Sequence, residues 1–121
     1  GARCYSERPQ EAVRVTRHVD VMPLARSDVD HYVEYLTEDS PAAAMRFFEG
    51  FEVLCADLAR WAATGMPQRA RIPRLKGLRA KPIPGFPNHR ALYIMPDVDS
   101  VLVVRVLHTA MDLRAALKLT Q

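Results

Sequence analysis

The stretch "SDVDHYVEYLTEDSPAAAMRFFEGFEVLCADLARWAATG", residues 27–65, decides the architecture. Ser27 reads as a helix N-cap with Asp30 three residues on, a variant of the capping box. Val29, Tyr32, Val33 and Leu36 then recur on one helical face. The pattern breaks at Glu38-Asp39, and Ser40 followed by Pro41 opens a second helix, because proline's missing N–H is free of cost at the first helical position. Phe47, Phe51, Leu54, Leu58 and Trp61 recur at steps of four and three, an apolar seam whose aromatic residues read as core. Gly65 is the natural C-terminal stop, with Pro67 soon after. So short a connection makes the two helices an antiparallel hairpin, and the seam needs a sheet to cover.

The flanks supply that sheet. Upstream, Val13, Val15, Val19 and Val21 alternate with polar residues at the period of a half-buried strand, which Pro23 ends or confines to an edge. Downstream, "LKGLRAKPI" (75–83) reads as a strand whose Gly77 marks a bulge, "PGFPNH" (84–89) as a loop and "RALYIM" (90–95) as a strand. "PDVDS" (96–100) is a turn, and "VLVVRVLH" (101–108) is the most β-prone run of the chain, suited to a central strand. A short last helix follows, with Asp112 at its N-cap. The expected fold is a two-layer α+β sandwich in the order β-α-α-β-β-β-α: a mostly antiparallel sheet of about four strands covered by the helical hairpin. Residues 18–121 form a single domain. Residues 1–17 are a polar extension expected to be partly disordered, with the leading Gly read as a cloning remnant.

At 121 residues the chain is long enough to bury a modest core without metals or disulfides. No run reaches the ~18 apolar residues of a membrane span, and no signal peptide is evident. With only Cys4 and Cys55, a reducing compartment is expected and Cys55 reads as a buried structural thiol. No Cys/His spacing suits a metal and no glycine motif suits a phosphate, so neither metal nor cofactor is expected.

Charge is segregated along the chain. Residues 28–57 hold eight acids against one base, Arg46, a balance of −7. Residues 58–96 hold Arg60, Arg69, Arg71, Arg74, Lys76, Arg79, Lys81 and Arg90 with no acid, a balance of +8. Such asymmetry points to a basic surface for an anionic partner, or to pairing between the two halves.

Two residues sit oddly in the last strand. Arg105 lies inside an apolar run and His108 closes it, although an unpaired buried charge is expensive. Arg105 either pairs with an acid on a neighbouring element or reaches a binding groove. His108 either hydrogen-bonds the strand exit to the last helix or moves protons. Arg79 and Lys81 alternate with Ala80 and so share one strand face.

With these elements placed, the chain resembles the RelE/ParE superfamily of bacterial type II toxins, and the ParE branch most. "PLARSDV" (23–29) is similar to the family's strand-exit motif, "YLTEDSPAAAMRF" (35–47) to its helix junction and "TGMP" (64–67) to the element after its second helix. "LRAKPIPGFPNHRALYI" (78–94) and "RVLHTAMDL" (105–113) resemble the ParE strands and ending. The sequence departs from the family at Thr109, where Gly is usual, at Met111, where Arg is usual, and at Arg90-Ala91.

The resemblance implies a cytoplasmic, growth-inhibiting toxin of the plasmid-stabilisation type that acts on DNA gyrase without hydrolysing anything. A cognate ParD-type antitoxin would neutralise it, and operator DNA would be reached only through the antitoxin. An acidic amphipathic antitoxin helix would then cover the basic sheet side. Lys76, Arg79, Lys81, Arg90 and Arg105 are the expected target- or antitoxin-binding residues. RelE-like members cut mRNA on the ribosome instead, and that alternative would make Arg79, Lys81, Arg105 and His108 the catalytic set. A second alternative is a basic nucleic-acid-binding module without toxicity.

Overall fold

A computed structural model describes residues 16–69, 73–111 and 113–118. The chain runs β1 (His18–Val21), α1 (Pro23–Asp39), α2 (Pro41–Trp61), β2 (Met66–Pro67), β3 (Arg79–Ile83), β4 (Phe86–Asp97), β5 (Ser100–His108) and α3 (Leu113–Lys118), with short 3-10 turns at Ala62–Thr64 and Pro73–Leu75. The five strands form one sheet in the order β1-β5-β4-β3-β2, with β1 parallel to β5 and the other pairs antiparallel. The α+β architecture read from the sequence is the observed one, with the two-residue β2 as an added edge strand.

The hairpin of α1 and α2 covers one face of the sheet. Ala25, Val29, Phe47, Phe51, Leu54 and Leu58 pack there on Ile83, Ala91, Tyr93, Val101, Val103 and Val106. Among the described residues the opposite face is covered more thinly. Leu75, Leu78, Ala116 and Leu117 meet Ala80, Leu92, Val104 and Leu107 on that side.

Several local expectations are corrected. Helix α1 begins at Pro23, four residues before Ser27, because Met22 is extended and Pro23 occupies the first turn with its φ already helical. Ser40 does cap α2, its hydroxyl accepting from the Ala43 N–H at 3.1 Å. Trp61 is not core: α2 ends there, the chain tightens into a 3-10 turn, and the small Ala62 takes the buried seat.

Gly65 is no left-handed helix stop, since its φ is −68°. Its side of the backbone faces Tyr93, and a Cβ there would lie 1.9 Å from the Tyr93 hydroxyl. Gly77 has φ +78° and makes the turn before β3 rather than a bulge within it. The supposed loop 84–89 shrinks to Pro84-Gly85, with Gly85 at φ +84°, and β4 already starts at Phe86. Val13, Val15, Arg71 and the Asp112 cap lie outside the described residues.

A bulge does occur, on β5. Leu92 pairs with Arg105 while Tyr93 pairs with Val103, leaving Val104 as the extra residue. Val104 and Arg105 therefore fall on the same side of the sheet, against the thin layer that holds α3.

Candidate functional site

Strand β1 lies beside β5 only as far as the Val21–Val103 pair, with the Met22 N–H donating to the Val103 carbonyl at 2.9 Å. Beyond that point the edge of β5 would present unpaired N–H groups. Helix α1 takes over with side chains. The Val106 N–H donates to Asp28 Oδ2 at 3.0 Å, and the His108 N–H donates to the Tyr32 hydroxyl at 3.1 Å. Four residues of helix rise ~6 Å and two of strand ~6.7 Å, so an i, i+4 pair on a helix can match an i, i+2 pair on a strand.

Asp28 also answers the question of Arg105. The guanidinium donates twice to that carboxylate, Nε to Oδ2 at 2.8 Å and Nη2 to Oδ1 at 2.9 Å, and Nη1 donates to the Ala116 carbonyl at 2.6 Å. Their side chains are 7% and 13% exposed. The bonds to Asp28 hold the Arg105 pKa above its ordinary value, more than burial lowers it. Arg105 is thereby a tie between α1, β5 and α3, with no free donor face for a groove.

His108 closes a ring cluster at the same end of the sheet. It pairs across the ladder with His89, ring centroids 4.9 Å apart, and His89 lies 4.8 Å from Tyr32 and 5.2 Å from Phe47. The Ala110 N–H donates to His108 Nδ1 at 3.0 Å. The expected bond from His108 to the last helix is therefore made within its own turn. Burial, then His108, lowers the pKa of His89. Burial is also the main reason that the Tyr32 phenol is raised, and its O–H donates to Met111 Sδ at 3.6 Å.

The basic residues named from sequence do not make one surface. Arg79 and Lys81 share a face, pairing with Tyr93 and Ala91, but it is the face under the helices. Arg79 Nη1 donates to the Gly65 carbonyl at 2.7 Å and Lys81 Nζ to Asp57 at 2.8 Å. Arg90 pairs with Leu107 on the opposite face, with Gln68 at 3.5 Å. Lys76 is exposed in the turn before β3. Lys81 and His108 stand two strands and two residues apart, roughly 12 Å at ordinary sheet spacings. The four residues of a nuclease set thus do not converge.

What the sequence did not point to is an apolar groove on the hairpin side. Val33, Pro41, Ala44, Met45 and Phe48 line a cavity of ≈ 520 Å³ with Glu49 and Glu52 at its border. It continues past Phe48 into a second concavity bounded by Val19, Val21, Arg26 and Cys55, next to the outer strand β1. Phe48 and Met45 are exposed, at the two α2 positions just after buried seam residues. Among the described residues no group of three or more His, Cys, Asp or Glu could hold a metal, and no helix is long and apolar enough to cross a membrane.

Comparison with known proteins agrees with this geometry. The family model for the ParE toxin of the type II toxin–antitoxin system parDE matches residues 19–113. Among solved structures, the chromosomal ParDE system of P. aeruginosa aligns with a TM-score of 0.60 at 15% identity, over 77% of this chain and 96% of that one. The toxin–antitoxin complex RelBE2 of Mycobacterium tuberculosis aligns with a TM-score of 0.52 at 24% identity, over 80% and 95%. At these identities the two structures speak to the fold. No curated protein matches the chain.

Proposed function

This chain belongs to the ParE toxin family of type II toxin–antitoxin systems, and we propose that within it the protein poisons DNA gyrase and is held inactive by a ParD-type antitoxin. The observation that supports a non-hydrolytic toxin is the dispersal of the catalytic candidates. Arg105 is consumed by Asp28, Lys81 by Asp57 and Arg79 by a backbone carbonyl, while His108 stands apart from both basic strand residues. A ribonucleolytic transition state needs a base and cations around one scissile phosphate. Arg79, Lys81, Arg105 and His108 do not form such an arrangement, which favours the non-hydrolytic reading.

The antitoxin seat that fits the molecule best is the groove at Val33, Met45 and Phe48, which offers apolar anchoring beside the outer strand β1. A helix spread over Arg79, Lys81 and Arg90 fits less well, since those three occupy two faces. In this reading the toxin works in the cytoplasm and touches operator DNA only through its antitoxin.

The test is plasmid supercoiling by purified gyrase with the protein titrated in. The expected result is loss of supercoiling, with protein-linked linear plasmid accumulating and the effect reversed by antitoxin. Gyrase that continues to supercoil at saturating protein refutes the reading, and ribosome-dependent cleavage of mRNA is then the assay to run. Phe48→Glu should weaken capture by antitoxin at least tenfold without abolishing toxicity.

A further inference from the structure

The chain's only tryptophan, Trp61, is the residue the fold leaves unused. The 3-10 turn at the end of α2 seats Ala62 under Tyr93, whose hydroxyl donates to the Ala62 carbonyl, and Trp61 is left 49% exposed. Five residues on, Met66 in the edge strand β2 is 68% exposed. Arg60 adjoins Trp61 and Arg69 follows β2, both exposed and both without an acid partner among the described residues. The acid next to them in the chain, Asp57, is engaged by Lys81. This is the only described ion pair that joins the acidic segment 28–57 to the basic segment 58–96, apart from any bond of Arg74. Among the described residues, pairing between the two halves therefore leaves Arg60 and Arg69 unquenched.

We infer that the 60–69 turn is a contact surface for single-stranded nucleic acid, with the Trp61 indole stacking on an unpaired base and Arg60 and Arg69 holding flanking phosphates. An exposed indole close in the chain to two exposed arginines offers a flat π face in a positive field, which suits a base on a phosphate backbone. An acidic peptide would need a recess for its apolar side chains, and among the described residues the groove that offers one lies away from Trp61 and Met66. The inference does not rest on gyrase as target, so the supercoiling result and the one below can fail separately.

The experiment titrates the purified full chain with a twelve-residue oligothymidylate while reading tryptophan fluorescence, which reports Trp61 alone. The same titrations at several salt concentrations, and with labelled oligomer read by anisotropy, cover the variants. Expected results are quenching of the indole and about tenfold weaker binding for Trp61→Ala, in line with the usual worth of one stacked base. Arg60→Ala/Arg69→Ala should flatten the slope of log affinity against log salt by about 1.4, at ~0.7 for each phosphate contact to a single strand. Tyr35→Ala, on the acidic helix α1, should leave binding unchanged. Unaltered fluorescence, affinity indifferent to Trp61→Ala in a folded variant, or polyglutamate binding as tightly as the oligomer would each overturn it, the last in favour of an acidic protein partner.

Discussion

Removing Asp28 should nearly unfold this protein, because its side chain, only 13% exposed, balances a buried guanidinium. In Asp28→Ala the Arg105 guanidinium keeps its place between β5 and α3 but loses both charge-assisted bonds and the carboxylate that balances it. Breaking a buried ion pair from one side costs ~3–5 kcal/mol. The stranded Val106 N–H adds ~1–3 kcal/mol where water cannot reach it. The two costs share one carboxylate and overlap, so about 4 kcal/mol is the working value. That approaches the whole stability of a domain this size, ~5–15 kcal/mol. It corresponds to a melting temperature lower by ~15–20 °C.

Asp28→Asn keeps an acceptor for the Val106 N–H and should cost roughly half as much. Arg105→Met should cost less in the Asp28→Asn background than in the native one, with a coupling of at least ~1.5 kcal/mol. Urea unfolding followed by far-UV circular dichroism measures the native protein and the four variants. If Asp28→Ala costs under ~1 kcal/mol at an unchanged m-value, or if the single costs simply add in the double variant, Arg105 is not held as argued.

Three further outcomes follow from other parts of the fold. His89 has its pKa lowered in the folded state, so an unfolded chain binds its proton more readily; the stability it supports is whole above ~6.5 and falls as pH drops from there towards the folded value. His89→Phe should remove that part of the loss between pH 7 and 5, seen as a smaller drop in melting temperature than native protein shows. Gly65→Ala would drive a Cβ into Tyr93 and should cost ~1–3 kcal/mol, and Tyr93→Phe in the same background should recover part of that by removing the atom met first. Burial pushes the Cys55 thiol up to about 11, so alkylation at pH 8 should run about 100-fold slower in folded than in urea-unfolded protein; equal rates would mean that the thiol is solvated.

The divide between what was legible and what was not follows from the range of the forces involved. The helical hairpin, the Ser40–Pro41 start of α2, the β5 run and the order of elements are written in local periodicity and capping, which depend on neighbours a few residues away. Those determine the α+β class, and with the resemblance of local motifs they lead to the family. The shared face of Arg79 and Lys81 was equally readable, because strand alternation is local; which layer that face meets was not.

The site depends on juxtapositions that no window of sequence contains. Asp28 and Arg105 are 77 residues apart, and they meet because β1 stops short of the end of β5 and a bulge at Val104 turns Arg105 to one side. In the sequence Asp28 counted only among the eight acids of residues 28–57 and Tyr32 only as part of an apolar face, yet their spacing serves the edge of a strand. Trp61 belongs to the seam by its step of three from Leu58, but the helix ends at that residue and Ala62 takes the place under Tyr93. Periodicity says which side chains could share a face; only the packed chain, where one carboxylate or one hydroxyl can satisfy a single neighbour, decides which of them are buried as partners and which are left to meet another molecule.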